Sequence, residues 1–279
     1  MKHLSGLSEI IDGFDMFLLD QFGVLHDGAE PYPQTVATLE VLKERGKAVV
    51  IISNSGKRAA LNIARMERMG LQRDFYGHMV TSGEVAWNLL RRDGSADSVD
   101  GFKRCYLITS GEDLSAVADL DIELQDDPAD ADFILLAGSE GNLYPEHHYR
   151  ELLAPAAARG VACICTNPDK ISLLGKEHYF GPGRIAQIYQ ELGGDVRWIG
   201  KPHPEIYEFA MALHSDVEAS RILCVGDSIE HDVAGAAAAG LSSVLVRGGI
   251  FANAPDDEID RVSALHRVRP DFLIPMFRF

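Results

Sequence analysis

Five residues of this 279-residue chain have types and settings suited to one kind of chemistry: Asp20, Ser53, Lys201, Asp227 and Asp232. Asp20 ends a short apolar run, 17–19, and Ser53 ends a longer one, 48–52. Gly226 and Asp227 close a third, with Asp232 about one helical turn further on, while Lys201 stands before Pro202 in Trp198-Ile-Gly-Lys-Pro-His-Pro204. Several carboxylate oxygens suit Mg²⁺, which keeps part of its water shell and bridges phosphate oxygens. A lysine point charge and a hydroxyl donor complete a cradle for a phosphoryl group. The remaining carboxylate can attack phosphorus and form an aspartyl phosphate, dividing one difficult displacement into two easier ones. Taken singly, each has a plainer reading: Asp20 as a turn residue, Asp227 and Asp232 as helix caps favoured by the helix dipole, Lys201 as a solvated charge.

The elements that must position these groups alternate between strand and helix. The run 17–19 is too short for a buried helix and reads as a core strand. Residues 33–46 carry apolar positions at Val36, Leu39, Val41 and Leu42 with Gly46 as a stop, which predicts an amphipathic helix. A strand over 48–52 and a helix over 57–69 follow, so buried strands joined by helices predict a parallel doubly wound sheet, an α/β fold of Rossmann-like type. In such a sheet ligands bind outside the carboxyl ends of the strands, where Asp20 and Ser53 fall. Beyond Thr81 the texture changes: a helix over 82–92, a polar loop over 93–101, strands at 105–109, 133–137 and 161–165, and an acidic segment over 112–132. These suffice for a second α/β module, inserted over 81–196 into a core of 1–80 and 197–279, one continuous sheet being the alternative. Thr166-Asn-Pro-Asp169 is a turn, Gly181-Pro-Gly-Arg-Ile185 could offer amides to an anion before a helix over 185–192, and a helix over 205–213 follows the Lys201 loop.

Composition narrows the partners. A net charge of −16 disfavours nonspecific contact with nucleic acid or anionic membrane, so an anionic substrate needs a local cation. Cys105, Cys163, Cys165 and Cys224 have neither zinc-ligand nor disulfide-framework spacing and read as reduced structural thiols. No apolar run is long enough to span a membrane and the first residues lack a secretory apolar region, so a cytoplasmic setting is expected.

Asp20 with Gly23-Val-Leu25, Ser53 after its apolar strand, Lys201 before a proline, and Gly226-Asp227 with Asp232 resemble, in order and separation, the four motifs of the haloacid dehalogenase superfamily. The likeness spans nearly the whole chain. The insert between the Ser53 and Lys201 motifs, with Thr166-Asn-Pro-Asp169 and Gly181-Pro-Gly-Arg-Ile185, is similar to the class IIA cap of the nitrophenyl-phosphatase and sugar-phosphatase branch. The resemblance implies a Mg²⁺-dependent phosphohydrolase of small phosphorylated metabolites, in which Asp20 is nucleophile and metal ligand and Lys201 stabilises the charge of nucleophile and phosphate. It implies that Ser53 and Asn54 bind the phosphoryl group, that Asp227, Asp232 and the main-chain carbonyl of Phe22 complete the metal site, and that Asn167 and Asp169 are the cap residues nearest the substrate. A homodimer is left open.

One position departs from that pattern. The superfamily's phosphatases carry a second Asp two residues after the nucleophile as general acid and base, and this chain has Phe22 there. General acid–base help is worth a factor of about 10² to 10⁴. Three outcomes follow: a substrate whose leaving group needs little protonation, such as an acyl, enol or nitrophenyl phosphate; a substitute His among His26, His203 and His231; or a catalytically feeble binder of phosphorylated ligands. A hydrolytic dehalogenase, which also lacks the second Asp, ranks below these because it has no use for Asp227 and Asp232.

Overall fold

The structure, a computed structural model, describes residues 1–91, 103–174 and 177–279. The chain opens with β1 (Lys2–His3), β2 (Met16–Leu19), α1 (Thr35–Glu44), β3 (Ala48–Ser53), α2 (Ala59–Arg68) and β4 (His78–Thr81). Next come α3 (Ser82–Arg91), β5 (Arg104–Ile108), β6 (Glu123–Leu124), β7 (Phe133–Leu136), α4 (Glu146–Ala158) and β8 (Ala162–Cys165). They are followed by β9 (Ile171–Leu174), β10 (Glu177–Phe180), α5 (Pro182–Glu191) and β11 (Val196–Trp198). The chain ends with α6 (Pro204–Ala212), β12 (Ile222–Gly226), α7 (Ala234–Ala238), β13 (Ser242–Val246), α8 (Asp256–His266) and β14 (Phe272–Ile274). The fold is α/β, and it divides into two compact units: Met1–Ser53 with Ala60–Val80 and Lys201–Phe279, and Asn54–Ala59 with Thr81–Gly200.

The first unit is built on a seven-stranded sheet in the order β1-β14-β13-β12-β2-β3-β4. Central β2 pairs in parallel with both β12 and β3, with Leu19 opposite Val225 and Ile51. Its four side chains, Met16 to Leu19, are wholly buried, as a parallel strand covered on both faces requires. This register sets the carboxyl ends of β2, β3 and β12 side by side, and the Asp20 N–H extends the ladder by donating to the Val225 carbonyl at 2.9 Å.

The second unit carries a five-stranded sheet, β11-β8-β7-β5-β6, with parallel pairs throughout, and an antiparallel hairpin of β9 and β10. Its core joins Ile134, Leu136, Tyr149, Leu153, Cys163 and Tyr189. Asn54–Ala59 and residues 197–200 group with this unit, whereas the sequence reading assigned them to the core; the cut at 196 divides β11, whose Trp198 pairs with Cys165 on β8.

The helices over 33–46, 57–69 and 205–213 are present with ends trimmed or shifted by one to two residues, and α5 starts three residues before the expected 185 because Pro182 occupies its first turn. Residue 92 and the loop expected over 93–101 lie outside the described residues. The short edge strands β1 and β6, the three-residue β14 between β1 and β13, and the hairpin are not among the strands read from the sequence.

Candidate active site

Asp20, Asp227 and Asp232 come together at the carboxyl edge of the first unit's sheet, each with a carboxylate oxygen within 4.8 Å of the others'. Asp20 follows β2 and Asp227 follows β12, so adjacent parallel strands deliver both. Asp232 arrives differently. The sequence places it at the start of an alanine-rich helix; it lies instead in a π-helical turn, Ile229–Val233, that precedes α7 and is capped by Ser228. The wider turn sends the carboxylate back toward β12, where Asp232 Oδ2 accepts from the Ser228 N–H at 3.0 Å.

Glycine is required where these acids crowd the backbone. A Cβ on Gly226 would stand 2.0 Å from Asp232 Cγ, and one on Gly23, whose φ is +77°, 2.0 Å from Asp227 Oδ2. Lys201, almost wholly buried, reaches Asp20 Oδ1 at 2.8 Å and Asp232 Oδ1 at 2.6 Å. Asp227 Oδ2 accepts from the Ile250 N–H at 2.9 Å.

The electrostatics of the cluster follow from burial. Desolvation pushes the Asp20 carboxyl well above the usual carboxylate range; Lys201 opposes this, and Asp232 and Asp227 add to it. Burial, then the Asp232 charge, pushes Asp227 up to about 7 against the Ile250 N–H and Lys201. Burial favours a neutral Lys201, but Asp20 and Asp232 outweigh it and hold the ammonium above its ordinary range. With all three carboxylates ionised, one ammonium leaves the cluster two charges short of neutral, so the donor set fits a divalent oxygen-seeking cation.

Ser53 ends β3 and is buried. The Gln21 side-chain amide donates to Ser53 Oγ and, at 3.5 Å, to Asn62 Oδ1. Arg65 Nη2 donates to Gln21 Oε1 at 3.1 Å and to Asn62 Oδ1 at 3.2 Å. The Arg65 guanidinium lies over the Phe22 ring, its Cζ 4.7 Å from the centroid. Sequence reading missed Gln21, Asn62, Arg65 and the Ile250 amide. The polar pair Asn62 and Arg65, three residues apart on α2 and so on one helix face, was the available signal.

The candidate histidines fall in unlike settings. His26 is fully buried, its Nδ1 accepts from the Gly28 N–H at 3.0 Å, and its ring packs edge-on to Phe22 at 4.6 Å between centroids. Desolvation and Arg65 push its pKa down to about 4, so it is neutral near pH 7. His203 precedes α6, with burial lowering its pKa, and the His231 N–H donates to Ser228 Oγ at 3.2 Å.

Asn54, Asn167 and Asp169 meet within the second unit: Asn54 Nδ2 donates to Asp169 Oδ1 at 2.8 Å, and the Asp169 N–H to Asn167 Oδ1 at 3.1 Å. The Gly181 segment does not serve an anion with these amides. The Gly181 and Gly183 N–H groups donate to the Lys170 and Asp169 carbonyls, and a Cβ on Gly183 would stand 2.0 Å from the Pro168 carbonyl oxygen. A cavity of about 970 Å³ lies at the other, amino-terminal edge of the first sheet; its Lys43, Lys47 and Arg221 pair with its own Asp74 and Asp15, so the chemistry belongs to the carboxyl edge.

Two family models match the chain, one described as haloacid dehalogenase-like hydrolase over residues 17–123 and one as HAD-hydrolase-like over 198–277. The chain is 28% identical to chronophin of Bos taurus over 265 residues, covering 88% of this chain and 85% of that one. It is 25% identical to a 4-nitrophenylphosphatase of Schizosaccharomyces pombe, covering 87% and 86%. A haloacid dehalogenase-like hydrolase from Brucella suis 1330 superposes with a TM-score of 0.84 at 28% identity, over 98% of this chain and 99% of that one. With Asp20 inside the first matched segment and Lys201, Asp227 and Asp232 inside the second, the chain belongs to the haloacid dehalogenase-like hydrolases, in their class IIA phosphatase branch.

Proposed function

We propose that this chain is a Mg²⁺-dependent phosphohydrolase acting on a small phosphorylated metabolite through an aspartyl phosphate on Asp20. The observation that carries the reading is the buried cluster of Asp20, Asp227 and Asp232 clamped by Lys201. In this reading Asp20, Asp227, Asp232 and the Phe22 carbonyl hold Mg²⁺, which when bound supplies a positive charge to phosphate oxygens and to the carboxylates themselves. Asp20 attacks phosphorus, the bond to the leaving-group oxygen breaks, and water later releases the phosphate. Lys201 fixes the Asp20 carboxylate and offsets the charge that accumulates during transfer. Ser53 and Asn54 bind phosphoryl oxygens. The second unit acts as the cap, with Asn167 and Asp169 as its substrate-side residues, and the four buried free cysteines suit a reducing, cytoplasmic setting.

Phe22 offers no proton to the leaving group, and His26, buried with its pKa pushed down to about 4, holds little of the imidazolium that could replace one near pH 7. Phosphates that leave readily without protonation are therefore the favoured substrates: acyl, enol and aryl phosphates. Phe22 also favours the second reading, a phosphate-binding protein with little turnover. An assay with 4-nitrophenyl phosphate and Mg²⁺ separates the two. Turnover lost in Asp20→Asn and on chelation is the expected result; phosphate binding without turnover across a broad phosphate-ester panel would favour the binder. Turnover of a haloacid that a chelator leaves untouched would favour the dehalogenase.

A further inference from the structure

The residue directly after the nucleophile is buried, and its hydrogen bonds have a fixed direction. Arginine only donates, so the Gln21 amide oxygen faces Arg65 Nη2 and the amide NH₂ faces Ser53. Ser53 Oγ is thus the acceptor in that bond. A hydroxyl has one proton to give and two lone pairs, and with a lone pair taken by Gln21 its proton goes to an acceptor other than Gln21. Asn62 repeats the logic: its Oδ1 receives both Arg65 and Gln21, so its amide is locked as well. Arg65 is held in turn from its flat face by Phe22, so the ring that replaces the expected acid serves as a platform for the guanidinium.

We propose that Gln21, oriented by Arg65 and Asn62, is a positioning residue that commits the Ser53 hydroxyl as a hydrogen-bond donor to the phosphoryl oxygen. The relay runs Arg65 to Gln21 to Ser53 to phosphate, and every link before the last is present in the structure. It rests on the phosphohydrolase reading only in taking Ser53 as the phosphoryl contact. A donor whose direction is set in advance needs less reorganisation to meet the anion. Gln21→Met removes the amide at similar volume and frees the Ser53 proton to turn. Gln21→Glu keeps an acceptor for Arg65 but draws the Ser53 proton to itself, reversing the bond.

The test is a double-mutant cycle read by calorimetry with inorganic phosphate in saturating Mg²⁺, alongside 4-nitrophenyl phosphate kinetics on the same samples. Gln21→Met is expected to weaken phosphate binding about tenfold and to raise KM more than it lowers kcat, with the affinity for Mg²⁺ alone unchanged within twofold. In a Ser53→Ala background the same substitution should change phosphate affinity less than twofold. An equal loss in both backgrounds, or no loss with Ser53 present, overturns the relay. Should Gln21→Met fail to fold, Gln21→Glu enters the same cycle and supports the relay only if its effect is at least fivefold larger with Ser53 than without. A wild type that binds phosphate and shows this coupling but turns nothing over retains the relay and loses the phosphatase reading. Turnover without any such coupling does the reverse.

Discussion

The guanidinium carbon of Arg65 lies 4.7 Å from the centroid of the Phe22 ring, and that neighbour limits what an acid at position 22 could do. A carboxylate placed there would meet a fixed positive charge, which favours its ionised form and makes it a poor proton donor. Phe22→Asp is therefore expected to raise turnover of alkyl phosphates less than tenfold, short of the factor of about 10² to 10⁴ that general acid–base help supplies. Steady-state assays with glycerol phosphate and 4-nitrophenyl phosphate check this; a gain above a hundredfold on the alkyl ester alone would show that Arg65 does not hold the new group. His26 carries a stability consequence. Its folded pKa of about 4 lies below the ordinary 6.5, so the folded protein binds fewer protons in that window. The neutral ring's contribution is complete above pH 6.5 and is lost as pH falls toward 4, costing about 2 kcal/mol between pH 7 and 5. Urea unfolding at the two pH values should show a shallower decline in His26→Leu than in wild type.

At the scale of elements, the π-helical turn and the glycines on either side of the carboxylates decide whether the strand ends form a site. The Tyr207 hydroxyl on α6 donates to the His231 and Asp232 carbonyls at 3.3 and 3.5 Å, and Gly235 leaves room for it. Tyr207→Phe is expected to cost about 1 kcal/mol of stability and to weaken Mg²⁺ binding severalfold by loosening the turn that carries Asp232. Gly226→Ala goes further, because its Cβ would overlap the Asp232 carboxylate at the carboxyl end of buried β12. Loss of more than a hundredfold in Mg²⁺ affinity, measured by calorimetry, is the expected outcome; unchanged binding would mean the cluster is not the metal site. The alternation of strand and helix that delivers these pieces is plain in the sequence, since 17–19, 48–52 and 222–225 are apolar runs closed by polar residues. The π turn is not: Ile229–Val233 has the composition of an ordinary helix start, and its wider form goes with tertiary contacts from the Ser228 cap and the Tyr207 hydroxyl.

For the whole molecule, the proposed cation site makes stability depend on both pH and Mg²⁺. Asp227, raised to about 7 against an ordinary 3.8, is more protonated in the folded state than in the unfolded chain throughout that interval. Metal-free stability from this group therefore falls as pH rises from about 4 to 7, the reverse of a salt-bridged carboxylate. Without metal, Asp227→Asn should melt higher than wild type at pH 8, with the gap narrowing toward pH 5. Adding Mg²⁺ should raise the wild-type Tm with concentration, as binding to the folded state alone demands, and leave Asp227→Asn nearly unmoved. Thermal scans over both pH and Mg²⁺ measure each effect.

The parallel α/β fold and the convergence of Asp20, Lys201, Asp227 and Asp232 at one sheet edge were legible from residue order, because a buried parallel strand and the polar residue that ends it are local signals. The unit boundary at Ser53–Asn54, the hairpin of β9 and β10, and the spending of the Gly181 and Gly183 amides on the Lys170 and Asp169 carbonyls were not. Nor was the way Gln21, Asn62 and Arg65 engage Ser53. Their hydrogen bonds depend on which face of α2 lies against the end of β2, and that is decided only when helix and sheet pack together.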